Sequence, residues 1–454
     1  MAYVFYSIYS LLFLLAFCVY TRRKYCHLSI LPLLFFPHFN NLCLIKIGMT
    51  FSFFELYVFF LAVLILFTGY SFFSSYRQTA TDKILLTFML FSVISIVVAQ
   101  IRIMTGNLSP SPGIREEPAA RSIMSLNKLI VFLVMLPYIR TYFISRRVDI
   151  AKYFKIYLAW SALLPTIAVI LQFAGIECRM FFNNPSFSDK AIWASPTRPF
   201  GLSYEASFYA IMCFLSFIGV YYVNRERLFN KWLCYLLFIL YFVGVALCFS
   251  RTGLLILLLF VFIKNVGSYS LKKIVVLGLL VIVLVNVSVF GLSLVDRILS
   301  SFSINSDAST FERFGSMLGL LNLFWEKGLV LGVGIFNYTF YLYEYMPQAV
   351  ISYMHFHKSS VIVSFNFILQ LAAEWGFPLF VSFLYLCKKY LKPFCKDGFE
   401  KDWFIYLAIL SLSVQMPNFS IAYIILLYLP SSLNQNVLKN AVFVKDRVLL
   451  SHPR

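Results

Sequence analysis

The chain has 454 residues, of which 61% are hydrophobic and only 13% are charged. Soluble proteins carry about 25% charged residues, so these charges are too few to cover the water-facing surface of a chain this long. The composition therefore excludes a soluble enzyme and predicts an integral membrane protein. The net charge of +19 indicates basic cytoplasmic loops in such a protein, and we expect no nucleic-acid partner.

Apolar stretches that could cross a bilayer recur along the whole chain and predict an all-α, polytopic fold with about 12–13 transmembrane helices. The stretch 28–46 is less uniformly apolar than the rest because it contains Pro37 and His38. The first stretch lacks the basic start and cleavage site of a secretory signal, so we expect a retained helix. The predicted spans are 3–20, 28–46, 51–74, 84–100, 127–145, 154–174, 204–223, 232–249, 253–263, 274–294, 361–387, 403–416 and 419–432.

Basic residues are concentrated in alternate loops, and the positive-inside rule assigns those loops to the cytoplasm. The opposite, outer side then receives three longer segments, at 101–126, 175–203 and 293–360. Long outer loops and short inner loops predict that the chemistry takes place on the outer face. We divide the chain into four regions. Residues 1–126 hold the N-terminal helices and the first outer loop, and 127–294 hold the central helices and the second outer loop. Residues 295–360 form the large outer loop, and 361–454 hold the C-terminal helices and a cytoplasmic tail.

Three arginines on the predicted outer side are candidates for binding an anion. Arg198 and Arg313 lie in the long outer segments, and Arg251 lies in a tight connection between two predicted helices. Each could extend its guanidinium to the lipid headgroups. Arg251 fits that explanation least, because Ser250 is a typical N-cap and would place a cation in the first turn of a helix, where the dipole disfavours it. Such a residue is expected to have an anionic partner.

A carboxylate and two histidines are the candidate proton acceptors. Glu205 is predicted to start a helix, where a carboxylate also suits the dipole, and it could act as a base or orient Arg198. His355 and His357 form the HxH pair of the long outer loop. No further ligand of fitting spacing accompanies the pair, so we expect no zinc or other metal.

The long outer loop is predicted to contain an amphipathic helix along the membrane surface. Ser309–Glu312 matches a capping box at its start, and Gly328 would end it. Arg313 falls outside its apolar stripe. That stripe consists of Phe311, Phe314, Leu318, Leu321 and Trp325.

Three polar residues, Asn366, Gln370 and Glu374, recur at intervals of four within the predicted span 361–387. This spacing places them on one face of a helix. Because polar groups facing lipid cost several kcal/mol, we expect them to face the bundle interior or to line a cavity.

The outer-face residues suggest chemistry on a phosphorylated lipid. The sequence contains no DxD motif, P-loop or GxSxG motif, so a metal-held nucleotide sugar is not favoured and we expect no cofactor. Arginine binds phosphate oxygens in pairs and stays charged. Several arginines could neutralise a diphosphate without metal, next to a hydrophobic framework that suits a lipid tail.

An ordered set of motifs resembles the O-antigen polymerase and ligase superfamily. The resemblance covers roughly the C-terminal three fifths of the chain, whereas the first part matches only in hydropathy. The motifs are RPFGLSYEASFYA at 198–210, SRTGLLILLL at 250–259, SxxERFG at 309–315, GLVLGVGIFNY at 328–338 and NFILQLAAEWG at 366–376.

The resemblance implies a metal-independent glycosyltransferase of the bacterial inner membrane with a periplasmic active site. Such enzymes take a glycan from undecaprenyl diphosphate. Arg198, Arg251 and Arg313 occupy positions where the family carries diphosphate-binding arginines. The partners it implies are an undecaprenyl-diphosphate-linked oligosaccharide, membrane lipid and a chain-length regulator protein.

The base is not settled by the resemblance. His355 or His357 could correspond to the loop histidine of the family. Many members, however, have a histidine directly before the asparagine that matches Asn366, where this chain has Phe365. The proton acceptor therefore stays open between these histidines and Glu205.

The sequence is compatible with four functions, of which a polymerase is favoured. A polymerase passes the growing chain to the next lipid-linked repeat unit, whereas a ligase passes it to lipid A core. A flippase for the same lipid would need charged or broken helices at mid-membrane, and the polar residues here are expected at the outer ends. A structural membrane protein without catalysis is the fourth alternative.

Overall fold

The computed structural model describes most of the predicted central helices and parts of the flanking segments. The described residues are 27–35, 44–47, 49–67, 80–109, 117–146, 148–176, 199–203, 206–248, 253, 308–348, 350–352, 366–391, 398–399 and 402–403.

The described residues are mainly helical, with one short hairpin. Its strands β1 (Leu44–Ile47) and β2 (Met49–Ser52) pair antiparallel, with Leu44 opposite Ser52. The described residues also include a π-helical turn, Phe324–Gly328, and a 3₁₀ turn, Tyr338–Phe340. The helices are α1 (Ile30–Phe35), α2 (Phe53–Leu66), α3 (Ala80–Met104), α4 (Pro118–Ser145), α5 (Ile150–Ser161), α6 (Leu163–Phe173), α7 (Ala206–Arg225), α8 (Lys231–Leu247), α9 (Ala308–Leu323), α10 (Leu342–Tyr345), α11 (Phe367–Trp375) and α12 (Phe377–Leu391).

Three stretches of helix are long and apolar enough to cross a membrane: Asp82–Met104, Ile150–Phe173 and Ala206–Arg225. Along α3, apolar side chains at helical spacing are 38% to 56% exposed: Leu86, Leu90, Val93, Val97 and Ile101. A contiguous apolar stripe of this length is costly in water and is typical of a lipid-facing surface. The prediction of a helical membrane protein is thus confirmed at this level, while the full number of spans and their orientation stay predictions.

Several predicted spans differ from the observed elements. The stretch 28–46 is not one helix, since α1 ends at Phe35 and Leu44–Ile47 is a strand. The stretch 51–74 begins in β2 and becomes helical at Phe53. The stretch 361–387 is broken at Gly376, whose positive φ of 82° separates α11 from α12. Mean hydropathy cannot detect these changes, because it measures composition and not backbone conformation.

Other boundaries agree more closely. The predicted stretch 84–100 lies inside α3, and 204–223 corresponds to α7. Helix α4 begins at Pro118, well before the predicted 127. Helix α9 already includes Ala308, so Ser309 lies within it and is not its N-cap. The spans at 3–20, 253–263, 274–294, 403–416 and 419–432 lie almost wholly outside the described residues.

The chain divides into two compact units. The first comprises Met1–Leu12, Leu33–Glu55 and Lys155–Phe314, and the second comprises Phe13–Pro32, Leu56–Phe154 and Gly315–Arg454.

The core of the first unit lies between α6, α7, α8 and the end of α5. Small residues let these helices approach closely, as is common in membrane proteins. A Cβ on Gly219 would lie 2.7 Å from the backbone nitrogen of Ala159, and one on Gly244 would clash with the Tyr209 hydroxyl. That hydroxyl is 2.8 Å from the Thr166 hydroxyl, so the buried polar groups at this contact pair with each other.

The second unit is built around α3, which packs against α4 and α12. Trp375, at the end of α11, contacts the rings of Phe88 and Phe383. Asp82 and Arg140 form a buried ion pair at one end of α3 and α4, with 3.1 Å from Nη1 to each carboxylate oxygen. Pairing makes burial of both charges tolerable, and it fixes the register of the α3–α4 hairpin.

Within each unit, segments that the charge pattern predicts on one side of the membrane are found at one end. In the second unit, Lys83 lies 5.7 Å from the Tyr390 ring centroid, which joins the start of α3 to the end of α12. In the first, Lys155 pairs with Glu226, which joins α5 to the end of α7. The described parts of the predicted outer segments lie at the opposite end of the helices in each unit.

Candidate functional site

The predicted site residues differ in how far the structure describes them. Five of the nine lie outside the described residues: Arg198, Glu205, Arg251, His355 and His357. Arg313 has its backbone in α9, while its side chain is not described. Asn366, Gln370 and Glu374 are described in full. The described neighbours of the other residues nevertheless show which segments come together.

In the first unit, Gln172 near the end of α6 binds the backbone of the segment directly after Arg198. Its Oε1 accepts hydrogen bonds from the N–H groups of Phe200, at 3.0 Å, and Gly201, at 2.8 Å. Its Nε2 donates to the Gly201 carbonyl at 2.9 Å. One side chain thus satisfies three backbone groups across 29 residues of sequence.

Gly201 makes this close approach feasible. Its φ is +62°, a region that residues with a Cβ rarely adopt. A Cβ there would lie 2.6 Å from the Pro165 carbonyl oxygen and 3.0 Å from a Val169 methyl group. The turn after Arg198 is therefore pressed onto α6 at a position that accepts only glycine.

The start of α7 and the end of α8 meet at the same end of this unit. The Cys248 thiol contacts the Ala206 carbonyl oxygen at 3.8 Å. Ala206 directly follows Glu205, and Arg251 is three residues beyond Cys248, at most about 11 Å along the backbone. The segments that carry Glu205 and Arg251 are therefore joined by a described contact next to their candidate residues.

In the second unit, the motif at 328–338 wraps around the end of the motif at 366–376. The N–H of Val333 donates to the Ala373 carbonyl at 3.1 Å, and the N–H of Gly334 donates to the Glu374 carbonyl at 3.0 Å. The Ser95 hydroxyl of α3 also donates to the Glu374 carbonyl, at 2.7 Å. The last carbonyls of α11, which no helical N–H can reach, are satisfied in this way by two other parts of the chain.

Two glycines allow this interlock. A Cβ on Gly332 would lie 2.0 Å from the Glu374 carbonyl oxygen, and one on Gly376 would lie 2.8 Å from the Gly332 nitrogen. The two backbones are therefore in direct contact. The absence of a side chain at Gly332 and Gly376 is what allows the loop to pack against α11.

Glu374 is fully buried, and its carboxylate faces the same loop. Its Oε1 accepts from the Tyr338 N–H at 3.3 Å and from the Gln370 amide at 3.4 Å. Its Oε2 has no hydrogen-bond partner among the described residues. Asn366 caps α11 by accepting from the Leu369 N–H at 2.9 Å. The three polar residues thus organise α11 and the loop beside it.

The ends of α3 and α4 reach the same loop. Arg102 donates from one nitrogen to the carbonyls of Lys327, Leu331 and Gly332, at 2.5 Å to 2.9 Å. A cation at the end of the π-helical turn suits the helix dipole. The Ser122 hydroxyl, near the start of α4, lies 2.7 Å from the Ile335 carbonyl oxygen. These contacts place the predicted outer segments of the second unit at one end.

Tyr341 adds a buried phenol to this end. Burial raises the pKa of Tyr341 to about 12, although the positive charge of Arg102 acts in the opposite direction. The phenol is therefore neutral at physiological pH. Its hydroxyl has no hydrogen-bond partner among the residues that the structure describes.

Sequence reasoning missed Gln172, Arg102, Ser95 and Ser122. A single polar residue at the end of an apolar run looks the same whether it ends a span or clamps a distant loop. Arg102 lies in the predicted outer segment 101–126, but nothing in its local sequence indicates three carbonyl partners. Asn337 and Tyr338 were inside a motif, without a role assigned to either.

No group of three or more His, Cys, Asp or Glu side chains comes together among the described residues. Comparisons of the chain with protein-family models, with curated proteins and with solved structures found no match.

Proposed function

We propose that the chain is an O-antigen polymerase, a glycosyltransferase of the bacterial inner membrane that acts on lipid-linked glycans at the periplasmic face. The observation that carries the proposal is the meeting of three segments at one end of the first unit. Gln172 of α6 holds the backbone directly after Arg198, and the Cys248 thiol at the end of α8, before Arg251, contacts the start of α7, directly after Glu205.

The proposed reaction is displacement at the anomeric carbon of the donor sugar. A hydroxyl group of the acceptor repeat unit attacks this carbon, the bond to the diphosphate oxygen breaks, and undecaprenyl diphosphate leaves. Arg198, Arg251 and Arg313 neutralise the charge that develops on the leaving diphosphate, which is the main catalytic contribution. The hydroxyl proton passes to a base, for which Glu205, His355 and His357 are the candidates.

The second unit supports the same proposal through its two interlocked motifs. The resemblance joined 328–338 and 366–376 only by their order in the sequence. Their backbone contacts, from Val333 to Ala373 and from Gly334 to Glu374, give this pairing a physical basis.

The substitution Arg251→Ala tests the proposal. We expect long-chain polysaccharide to fall by a factor of roughly 100 or more, as for the loss of one charged group from a transition-state site, while the protein accumulates normally in the membrane. The measurement is the lipopolysaccharide ladder together with an immunoblot of membranes. Arg225→Ala, which removes an exposed arginine at the other end of α7, is the matched control and should leave the ladder intact.

A strain that lacks the chain separates the alternatives. Loss of a polymerase leaves core bearing one repeat unit, whereas loss of a ligase leaves bare core. A flippase is distinguished by the purified protein, because only the enzyme extends lipid-linked repeat units without a gradient. An unchanged ladder in the Arg251→Ala strain would count against all catalytic versions of the proposal.

A further inference from the structure

We propose that Gln172 is a positioning residue that holds the main chain next to Arg198 and so aims this arginine at the anionic group of the substrate. The inference deepens the proposed function and rests on it for the role of Arg198. No sequence motif includes Gln172, so the inference comes from its three hydrogen bonds alone.

The side chain of Gln172 is matched to its target in hydrogen-bonding capacity. Its Oε1 accepts two bonds, and its Nε2 donates one to the carbonyl of Gly201. An amide is the side chain that can supply both kinds of contact at once. A carboxylate would keep the two accepted bonds and lose the donated one.

The segment that Gln172 holds has little freedom of its own. Pro199 is buried and has a fixed φ. Gly201 is held against the Pro165 carbonyl. The backbone from Pro199 to Gly201 is therefore fixed on α6 by packing from one side and by Gln172 from the other.

The position of this clamp in the chain gives it a functional meaning. Arg198 directly precedes Pro199, so its Cα is one peptide bond, about 3.8 Å, from a fixed point. A long arginine side chain loses much of its binding advantage if its attachment point moves by an ångström. A clamp at this position limits that movement without contacting the substrate.

The first test compares Gln172→Leu, Gln172→Glu and the neighbouring control Phe173→Leu, whose phenylalanine is 57% exposed. At equal protein levels in membranes, we expect Gln172→Leu to reduce long-chain polysaccharide by about tenfold or more, because three partly buried hydrogen bonds are lost. Gln172→Glu should lie between that variant and the wild type, and Phe173→Leu should match the wild type. Equal ladders for Gln172→Leu and the wild type would overturn the inference.

Arg198→Ala separates this inference from the proposed function. If Arg198→Ala keeps the wild-type ladder, the proposed role of Arg198 is wrong. If Arg198→Ala loses the polymer but Gln172→Leu keeps it, the proposed function stands and the clamp is wrong.

A second readout needs no activity. In an Arg198→Cys chain, the rate at which a membrane-impermeant maleimide modifies the introduced thiol reports the local backbone. Adding Gln172→Leu should change this rate several-fold, whereas adding Phe173→Leu should not. Equal rates with and without Gln172→Leu contradict the clamp even if the ladder changes.

Discussion

At the scale of single residues, burial and hydrogen bonding indicate which polar side chains organise the chain. Gln370 and Glu374 are almost or fully buried, and their contacts are with each other and with the backbone. Buried polar groups cost free energy unless they are hydrogen-bonded. The contacts of Glu374 therefore identify it as an organiser of the loop after the π-helical turn.

Replacement of Glu374 tests this role. We expect Glu374→Ala to lower the free energy of unfolding by about 2–4 kcal/mol, because it leaves the Tyr338 N–H and the Gln370 amide without their acceptor and opens a cavity. Glu374→Gln keeps the acceptor oxygen and should cost less than about 1 kcal/mol. Thermal unfolding of the detergent-purified protein measures both.

The control for this comparison is Glu344→Ala, which removes an exposed glutamate of α10 in the same unit. It should unfold like the wild type. If Glu374→Ala unfolded at the wild-type temperature, the carboxylate would not be holding the loop.

Single residues also show the limit of sequence reasoning. The spacing of Gln370 and Glu374 sufficed to predict a shared face. Gln172 could not be found in the same way, because its partners, Phe200 and Gly201, are 28 and 29 residues away. Such contacts depend on tertiary packing, which no local pattern encodes.

At the scale of elements, the interlock between α11 and the loop at 329–334 replaces a continuous helix. A helix that ends inside a membrane protein leaves carbonyls that lipid cannot satisfy. Here the N–H groups of Val333 and Gly334 satisfy two of them. Gly332 is the residue on which this exchange depends, because the two backbones meet there.

We expect Gly332→Ala to disrupt the interlock. The new methyl group would lie 2.0 Å from the Glu374 carbonyl oxygen. The atoms it would meet belong to the backbone of Glu374 and Trp375, which cannot rotate away as a side chain can. Overpacking of this kind costs about 3 kcal/mol or more. A lower unfolding temperature and a lower yield of folded protein are the expected results.

Val330→Ala is the matched control, since that side chain is 68% exposed. It should have little effect on stability. Wild-type stability of the Gly332→Ala protein would mean that the loop can lie further from α11 without loss.

The same elements explain why hydropathy predicts the position of a helix better than it predicts whether the helix is continuous. The sequence predicts helix α3 because apolar residues dominate a stretch of bilayer length. The stretch 361–387 is also mainly apolar, but Gly376 adopts a positive φ and divides it. Glycine is compatible with either outcome, so composition alone could not distinguish a continuous span from a broken one.

At the scale of the whole molecule, the charge pattern and the structure agree on which ends belong together within each unit. The basic ends of α3 and α12 meet through Lys83 and Tyr390. The orientation of these ends in the membrane is a prediction of the positive-inside rule, and it can be tested directly.

Alkaline phosphatase, which is active only outside the cytoplasm, provides that test. Inserted after Asn107, at the end of α3, it should be active. Inserted after Arg227, at the end of α7, it should be inactive although the fusion protein is present by immunoblot. The reverse pattern would invert the assignment of the sides and move the candidate site to the cytoplasm.

The hydrogen bond from Ser95 to the Glu374 carbonyl has a consequence for the synthesis of the protein. The two residues are 279 positions apart, so α3 emerges from the ribosome long before its partner exists. The end of α11 contacts groups from two earlier parts of the chain. These contacts can form only after α11, and so most of the chain, has been translated. Helix α3 is therefore synthesised before this partner, and we expect the second unit to close as a late step of biogenesis.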